Sequence, residues 1–542
     1  MKFTRRDFTL ASLATLAGFG TGKWLTPRFR NKDIAGKIWG AASLTGHKLR
    51  TADFPPPTRT LQKDVVIVGG GIAGLAAGYR LAKSGMHSFV LLELEKKAGG
   101  NASSGKNAVS AYPWGAHYVP LVTEESTAVK QLFEELGIVV GHDAKGLPIY
   151  NEYYICADPH ERLYMYGRWQ EGLVPNIGIT PEEEGQYQRF FTMMADYIKR
   201  IGNDGKKIFA IPIDKSSQDP QWLALDQLTM AEWLSQKGLN SPRLRWYVNY
   251  CCRDDFGTTS DETSAWAGIH YFAARSGQAA NTDSQNVVTW PEGNGWLAHQ
   301  LEQPITERII PNALAYKITD HNGKISVDYW DGVGDQSIRI QAKAVVMATP
   351  RFISCRLLDS DRFSLSAEAF SYSPWAVANI TLSKMPAGNG APLSWDNVVY
   401  GSKLLGYVVA THQLPQMEPV STVITYYWPL SHLAPRAARE EALNRSYHDW
   451  QQVVLKELLF VHPELEGNIE RMDLWIWGHA MVRPTKGFIW GAARRQALKQ
   501  HPPIFFAHSD MSGISIFEEA YTHGVTAAEG VLRFLRHPQP VL

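Results

Sequence analysis

One stretch of this chain leaves little freedom in how it folds. Residues 64–68 (DVVIV) are an apolar run without alternation, the pattern of a strand buried on both faces. Gly69-Gly70-Gly71-Ile72-Ala73-Gly74 comes at once after it, with glycines at the first, third and sixth positions of G-x-G-x-x-G. Residues 75–84 carry Ala, Leu and Tyr at helical spacing, and residues 87–92 read as a second strand ending at Glu93, 19 residues past Gly74. Each piece has a physical role. Gly69 permits a tight turn, Gly71 lets backbone approach a pyrophosphate, and Gly74 lets helix and strand pack closely. Ile72 and Ala73 begin the helix, where free amides and the positive dipole end face the phosphates, and Glu93 can accept ribose hydroxyls. A purely structural glycine turn has no need of strand, helix, strand and acid in register. The spacing predicts an α/β fold with a dinucleotide at the edge of a parallel sheet.

The rest of the composition narrows the function by exclusion. The chain has 542 residues, 44% hydrophobic and 20% charged, enough for two to four folded domains. Its formal net charge of +1 carries no electrostatic footprint for nucleic acid, so no nucleic-acid partner is expected. Cys156, Cys251, Cys252 and Cys355 form neither a disulfide framework nor a zinc-spaced set, and buried thiols are the expectation, with no metal. Beyond the N-terminus no run of about 18 apolar residues occurs, so no integral membrane domain is expected.

Thr4-Arg5-Arg6-Asp7-Phe8-Thr9-Leu10, leading into a weakly apolar run to Phe19, resembles a twin-arginine export signal. The resemblance implies a signal over residues 1–30, the twin-arginine translocon as a partner, and a periplasmic location. No clear Ala-x-Ala site comes after Phe19, which leaves cleavage or retention as an anchor open. Residues 31–62, with Pro55-Pro56-Pro57, read as an extended linker.

The stretch beginning at Glu93 resembles the flavin amine oxidase and phytoene desaturase superfamily. Glu93-Leu94-Glu95-Lys96-Lys97-Ala98-Gly99-Gly100-Asn101 is similar to its E-x5-G-G-R segment, with Asn101 where that family carries Arg. Gly115-Ala116-His117-Tyr118-Val119 resembles the strand beneath the isoalloxazine, with Pro113 in place of the family's Asp. Trp290-Pro291-Glu292-Gly293-Asn294-Gly295 resembles a glycine turn opening the second cofactor half. Residues 308–315 resemble the strand beside the adenine, with Ala315 as its contact, and residues 342–350 resemble the family's return strand. Lys317 to Trp330 reads as a hairpin through Asn322-Gly323. Residues 504–510 and 515–524 are similar to the closing motif, implying that Asp510 contacts the ribityl or pyrophosphate and that a helix starting near Ile516 and Phe517 points its N-terminus at the flavin. The resemblance implies FAD held non-covalently, since covalent attachment in the relatives compared uses a C-terminal cysteine and none occurs after Cys355.

The expected architecture is a discontinuous FAD-binding Rossmann-like domain (63–120, 286–352, 487–538) and a mixed sheet-and-helix substrate domain (121–285, 353–486). Residues 182–200 and 229–237 carry helical spacing, residues 375–382 and 421–428 read as strands, and 435–459 reads as one helix. The resemblance implies hydride transfer from a small-molecule substrate of amine type, polyamines among the candidates. It is nearest to exported spermidine dehydrogenase-like proteins through Pro291-Glu292-Gly293-Asn294, Ser509-Asp510 and Arg5-Arg6. No lysine stands on the strand where amine oxidases often carry one; Ala378 or Asn379 takes its place, and Lys384 reads as solvated. Ile516 falls where the family has a flavin-facing tyrosine; with the missing lysine this favours a dehydrogenase passing electrons to an unidentified acceptor, and the choice between oxidase and dehydrogenase stays open. Asp254, Asp255, Asp261, Glu262, Glu518 and Glu519 are the candidate carboxylates for a cationic substrate, and His117 is the candidate catalytic side chain. Residues 475–479 alternate as a strand that either walls the flavin or packs a core, and His270 reads as a satisfied core histidine. Two alternatives stay open: a desaturase or isomerase of an apolar substrate, and a non-catalytic binding protein on the same scaffold.

Overall fold

The computed structural model describes residues 34–536 apart from 52, 322, 359–362, 364 and 415–418. The twin-arginine segment and Asn322 therefore lie outside the described residues. Among the described residues no helix is long and apolar enough to cross a membrane.

The apolar run after residue 64 becomes the central strand Val65–Val68 of a five-stranded parallel sheet. The order is Ile309–Ile310, Phe89–Leu92, Val65–Val68, Ala344–Met347, Ile504–Phe506. Side chains alternate between two cores, as strand geometry requires. Val65, Ile67, Phe89, Leu91, Ala344 and Val346 pack with the helices Ile72–Lys83 and Phe517–Arg536. Val66, Val68, Val90, Leu92, Val345 and Met347 pack with a four-stranded sheet, Ala313–His321, Lys324–Asp331, Gln336–Ala342 and Arg59–Gln62. Both faces are covered, so these strands read as continuous rather than alternating apolar runs.

The other half is an eight-stranded mixed sheet whose longest strands are Ile469–Val482, Tyr372–Leu382 and Thr422–Pro429, side by side. The helices Pro181–Lys199, Met230–Gln236, Pro242–Phe256 and Ala265–Ala273 share a third core. Capping boxes at Thr180/Glu183 and Thr229/Glu232 begin the first two of these helices, where side chain and backbone satisfy each other's free groups.

Four expectations from the sequence need correction. Residues 31–62 are not a bare linker: Ile38–Gly40 is a strand at the edge of the eight-stranded sheet, 43–50 form two short helical turns, and Arg59–Gln62 pairs with Gln336–Ala342. The domain boundaries shift, because Leu121, Val129, Leu132, Phe133 and Tyr150 pack in the dinucleotide-side core, while Phe488, Ile489 and Trp490 pack in the helical core. The stretch 308–315 is two strands, Ile309–Ile310 in the parallel sheet and then Ala313–His321 in the antiparallel one. The single helix over 435–459 is two, Pro435–Asn444 and Tyr447–Val461, because Ser446 and Asp449 make a capping box that starts the second.

Candidate cofactor and substrate site

Two cavities meet where the halves of the fold touch. The larger, about 1400 Å³, lies beyond the carboxyl ends of the parallel strands, where open α/β sheets bind ligands. Of the residues expected from sequence, Gly69, Gly71, Ile72, Ala73, Glu93, Gly99, Gly100, Asn101, Ala116, Ala315, Asp510, Ile516 and Phe517 line it. Gly115 and His117 line the smaller cavity. Gly74 lines neither: a Cβ there would sit 1.8 Å from the Gly69 carbonyl oxygen, so its role is the close helix–strand approach.

The glycines separate ligand space from packing space. Gly71 has extended backbone, φ −70° and ψ −178°, and a Cβ built on it would meet nothing within 4 Å. Neither conformation nor packing demands glycine there. The open space lies before the helix Ile72–Lys83, which has no side-chain N-cap, and this is the cradle a phosphate would fill. Two buried oxygens also lack donors within the protein, Asp510 Oδ1 and Asn294 Oδ1, and both residues line the larger cavity. His508 Nδ1 lies 3.1 Å from both the Asp510 amide and Oδ1; when it accepts from the amide it has no proton for Oδ1. A dinucleotide rich in hydroxyl donors and anionic phosphate fits this set, and FAD is such a group.

Two expected contacts have more partners than the sequence suggests. Glu93 Oε2 accepts from the Gly70 amide at 2.6 Å and Oε1 from the Glu95 amide at 2.8 Å, so a ribose would use the remaining lone pairs. Burial pushes this carboxyl up to about 7, and the two amides pull against it. Asp510 Oδ2 accepts from the Arg351 amide at 2.7 Å and the Tyr372 hydroxyl at 2.5 Å. Burial would raise Asp510; these donors, joined by His508 in the state where its ring is protonated and donates to Oδ1 instead of accepting from the amide, outweigh it and hold the group below its ordinary value. Asn101 Nδ2 donates to the Ala480 carbonyl, tying the glycine loop to the strand Ile469–Val482.

The smaller cavity, about 880 Å³, opens off the first at Asn101, Ala116, Asn294, Ala480, Ile516 and Phe517. Trp375, Val377, Tyr427, Trp477 and Met481 supply its apolar wall. Trp375 and Val377 project because they share a face of their strand. Ala378 and Asn379 do not line the cavity; Asn379 is instead buried, donating to the Pro113 carbonyl at 3.0 Å and accepting from Thr425 at 2.7 Å. The His117 ring stacks on Tyr427 at 4.6 Å, and burial pushes it down to about 4, leaving a neutral imidazole at neutral pH.

Three of the six candidate carboxylates face this cavity: Asp254, Asp255 and Glu518. Asp255 is paired with Arg275, which also donates to the Tyr118 hydroxyl at 3.1 Å and lies 4.2 Å over Tyr271. Asp254 makes no side-chain hydrogen bond or ion pair among the described residues. Burial, then the like charge of Asp255, pushes it up to about 7. Glu518, 3% exposed at the start of Phe517–Arg536, is pushed by burial to about 7. The other three point elsewhere. Glu262 pairs with Arg483, Asp261 is exposed, and Glu519 accepts from the Ile213 amide at 2.6 Å and the Ser512 hydroxyl. Sequence reasoning missed Arg275, Tyr118, Trp375 and Tyr427. Trp375 and Tyr427 stand on strands it did identify, whereas Arg275 comes after a helix and carries no local signal. His270 is a satisfied core histidine, its Nε2 2.8 Å from the Ala210 carbonyl.

Fold and site together define the class: a Rossmann-like dinucleotide-binding chain with the architecture of solved amine oxidases. A family model described as an NAD(P)-binding Rossmann-like domain matches residues 67–136. Putrescine oxidase, solved as the wild type bound to putrescine, is similar at a TM-score of 0.62 and 15% identity, over 88% of this chain and 100% of that one. Cyclohexylamine oxidase from Brevibacterium oxydans IH-35A is similar at 0.61 and 16%, over 88% and 100%. In sequence, a probable flavin-containing monoamine oxidase A of Dictyostelium discoideum is 25% identical over 38% of this chain and 40% of its own length. L-amino acid oxidase Bs29 of Bothriechis schlegelii is 23% identical over 53% of each. The chain thus spans about half or less of the length of these curated relatives.

Proposed function

We propose that the chain is an FAD-dependent oxidoreductase that oxidises an amine, with a diamine or polyamine as the favoured substrate. The observation that carries this is the charge of the smaller cavity: Asp254, Asp255 and Glu518 face it, and Arg275, the one cation among its described lining residues, is taken by Asp255. When bound, FAD supplies a hydride acceptor. The protein's part is to bind, orient and dry the substrate. Trp375, Tyr427, Trp477 and Met481 hold an alkyl chain and exclude water, which strengthens every charge interaction inside. Asp254 and Glu518, each near 7, accept an ammonium hydrogen bond when ionised, and an ammonium beside either carboxylate would lower that value again. The acid Glu161 also raises Asp254, and Asp254 in turn raises Asp396, so negative potential extends beyond the cavity wall. An amino-acid carboxylate would meet no free cation here, which weighs against amino acids despite the likeness to L-amino acid oxidases.

The FAD is read as non-covalent; among the described residues no cysteine lines either cavity. The export reading rests on Thr4 to Leu10 alone, with the periplasm as destination and a separate acceptor for the electrons. The test of the function is anaerobic flavin bleaching against monoamines, putrescine, spermidine, amino acids and carotenoids. Bleaching by diamines or polyamines is expected. Bleaching by carotenoids alone would replace this reading with the desaturase one, and a protein without flavin would replace it with the binding-protein one.

A further inference from the structure

Residues 42–50 border the larger cavity, with Gly46 and Leu49 part of its lining. They are held from both halves of the fold. On the substrate side, Ile38–Gly40 pairs in parallel with Leu474, Trp475 and Ile476, and Trp39 Nε1 donates to Asp473 at 3.1 Å. On the dinucleotide side, the Ala42 amide donates to Glu95 Oε1 at 2.6 Å, two residues from the acid read as ribose-binding. Lys48 sits 3.6 Å over the Trp330 ring, Phe54 stacks on Tyr316 at 4.2 Å, and Leu49 packs against the core beneath the cleft.

We propose that residues 42–50 are a strap forming the outer wall of the FAD site, with Leu49 as a cofactor-contact residue, so that FAD leaves only when the strap lifts. The proposal rests on the FAD reading above. A segment tied at both ends to elements that flank the cleft must break at least one anchor to open, and release then waits on that opening. The strap also carries charge. Position 101 carries Asn rather than a cation, whereas Arg50 lies on the strap, 3.1 Å from His47 Nε2, and both bear electrostatically on His479, which lines the cleft.

The test measures FAD release from the full-length holoprotein after mixing with an excess of apo-glucose oxidase, which takes FAD, by the return of glucose oxidase activity. Leu49→Glu places a carboxylate against the dinucleotide and should speed release about tenfold or more, with Leu49→Ala between it and the wild type. The apoprotein melting temperature of Leu49→Ala should stay close to wild type. In the wild type, FAD should slow trypsin cleavage after the exposed Lys48 and Arg50 about tenfold relative to apoprotein. Release unchanged within about twofold in both variants would overturn the strap. Should Leu49→Glu fail to fold, cleavage indifferent to FAD would overturn it equally. A wild type that binds no FAD would sink the functional reading and the strap together, whereas FAD bound and released at equal rates sinks only the strap.

Discussion

Replacing Asp254 by Asn should weaken amine binding and stabilise the fold, two effects of opposite sign from one charge. The side chain lines the smaller cavity, has no hydrogen-bond or ion-pair partner among the described residues, and keeps its shape on substitution. A hydrogen bond between a substrate ammonium and this carboxylate is worth about 1.5–3 kcal/mol, so the dissociation constant for putrescine should rise about 10- to 100-fold. The stability effect comes from burial and from the neighbouring Asp255 and Glu161, which raise the carboxyl from 3.8 to about 7 in the fold. Between those values the unfolded chain has lost the proton that the folded chain still holds, so stability falls as pH rises through this window and levels off above it. The upper bound is about 4 kcal/mol at roughly 1.4 kcal/mol per pH unit, reduced by solvent and by relaxation of the coupled acids. The amide of the D254N variant has no proton to lose, so the variant's gain over wild type should grow from about pH 4 to about 7 and stay constant above that. Anaerobic flavin reduction titrated with putrescine measures the first effect, and thermal unfolding of the apoprotein across pH measures the second. An unchanged putrescine constant refutes the anchoring role, and a melting-temperature gain independent of pH refutes the electrostatic account.

Gly74→Ala and Gly71→Ala should separate packing from binding. The first drives Cβ to 1.8 Å from the Gly69 oxygen and should cost about 1–3 kcal/mol or more in apoprotein stability, while the second meets no atom within 4 Å and should lower only FAD affinity. Equal apoprotein melting temperatures for the two would contradict the assignment. Glu93→Ala and Asp510→Ala should each lower FAD affinity about 10- to 100-fold, read as flavin occupancy after gel filtration. Acid precipitation should release all flavin to the supernatant, and colour retained in the pellet would show a covalent bond. Arg5→Lys with Arg6→Lys keeps the charge but removes the planar guanidinium pair, so the double variant should accumulate in the cytoplasm with its flavin bound. Its arrival in the periplasm would defeat the export reading.

The fingerprint was legible because its constraints are local. A strand buried on both faces, a turn without side chains and a helix start are each set by residues within a few positions, and Val65 to Lys83 takes the expected course. The long strands of the second half and the capped helices were readable for the same reason. Other features depend on what lies opposite in space. Residues 31–62 look like a linker because Pro55-Pro56-Pro57 and mixed polarity carry no period, yet Asp473, Glu95 and Trp330, all distant in sequence, hold much of this segment in place. The acids show the limit most clearly. Asp254 and Asp255 are neighbours in one helix, and Glu518 and Glu519 in another, with nothing in the sequence to rank them. Helical rotation turns Glu519 into the core against Ser512 and leaves Glu518 in the cavity, while Arg275 neutralises Asp255 and leaves Asp254 without an ion-pair partner. Which carboxylate keeps its charge for a ligand is decided by the partner the tertiary fold brings to it, and a spacing rule carries no information about that partner.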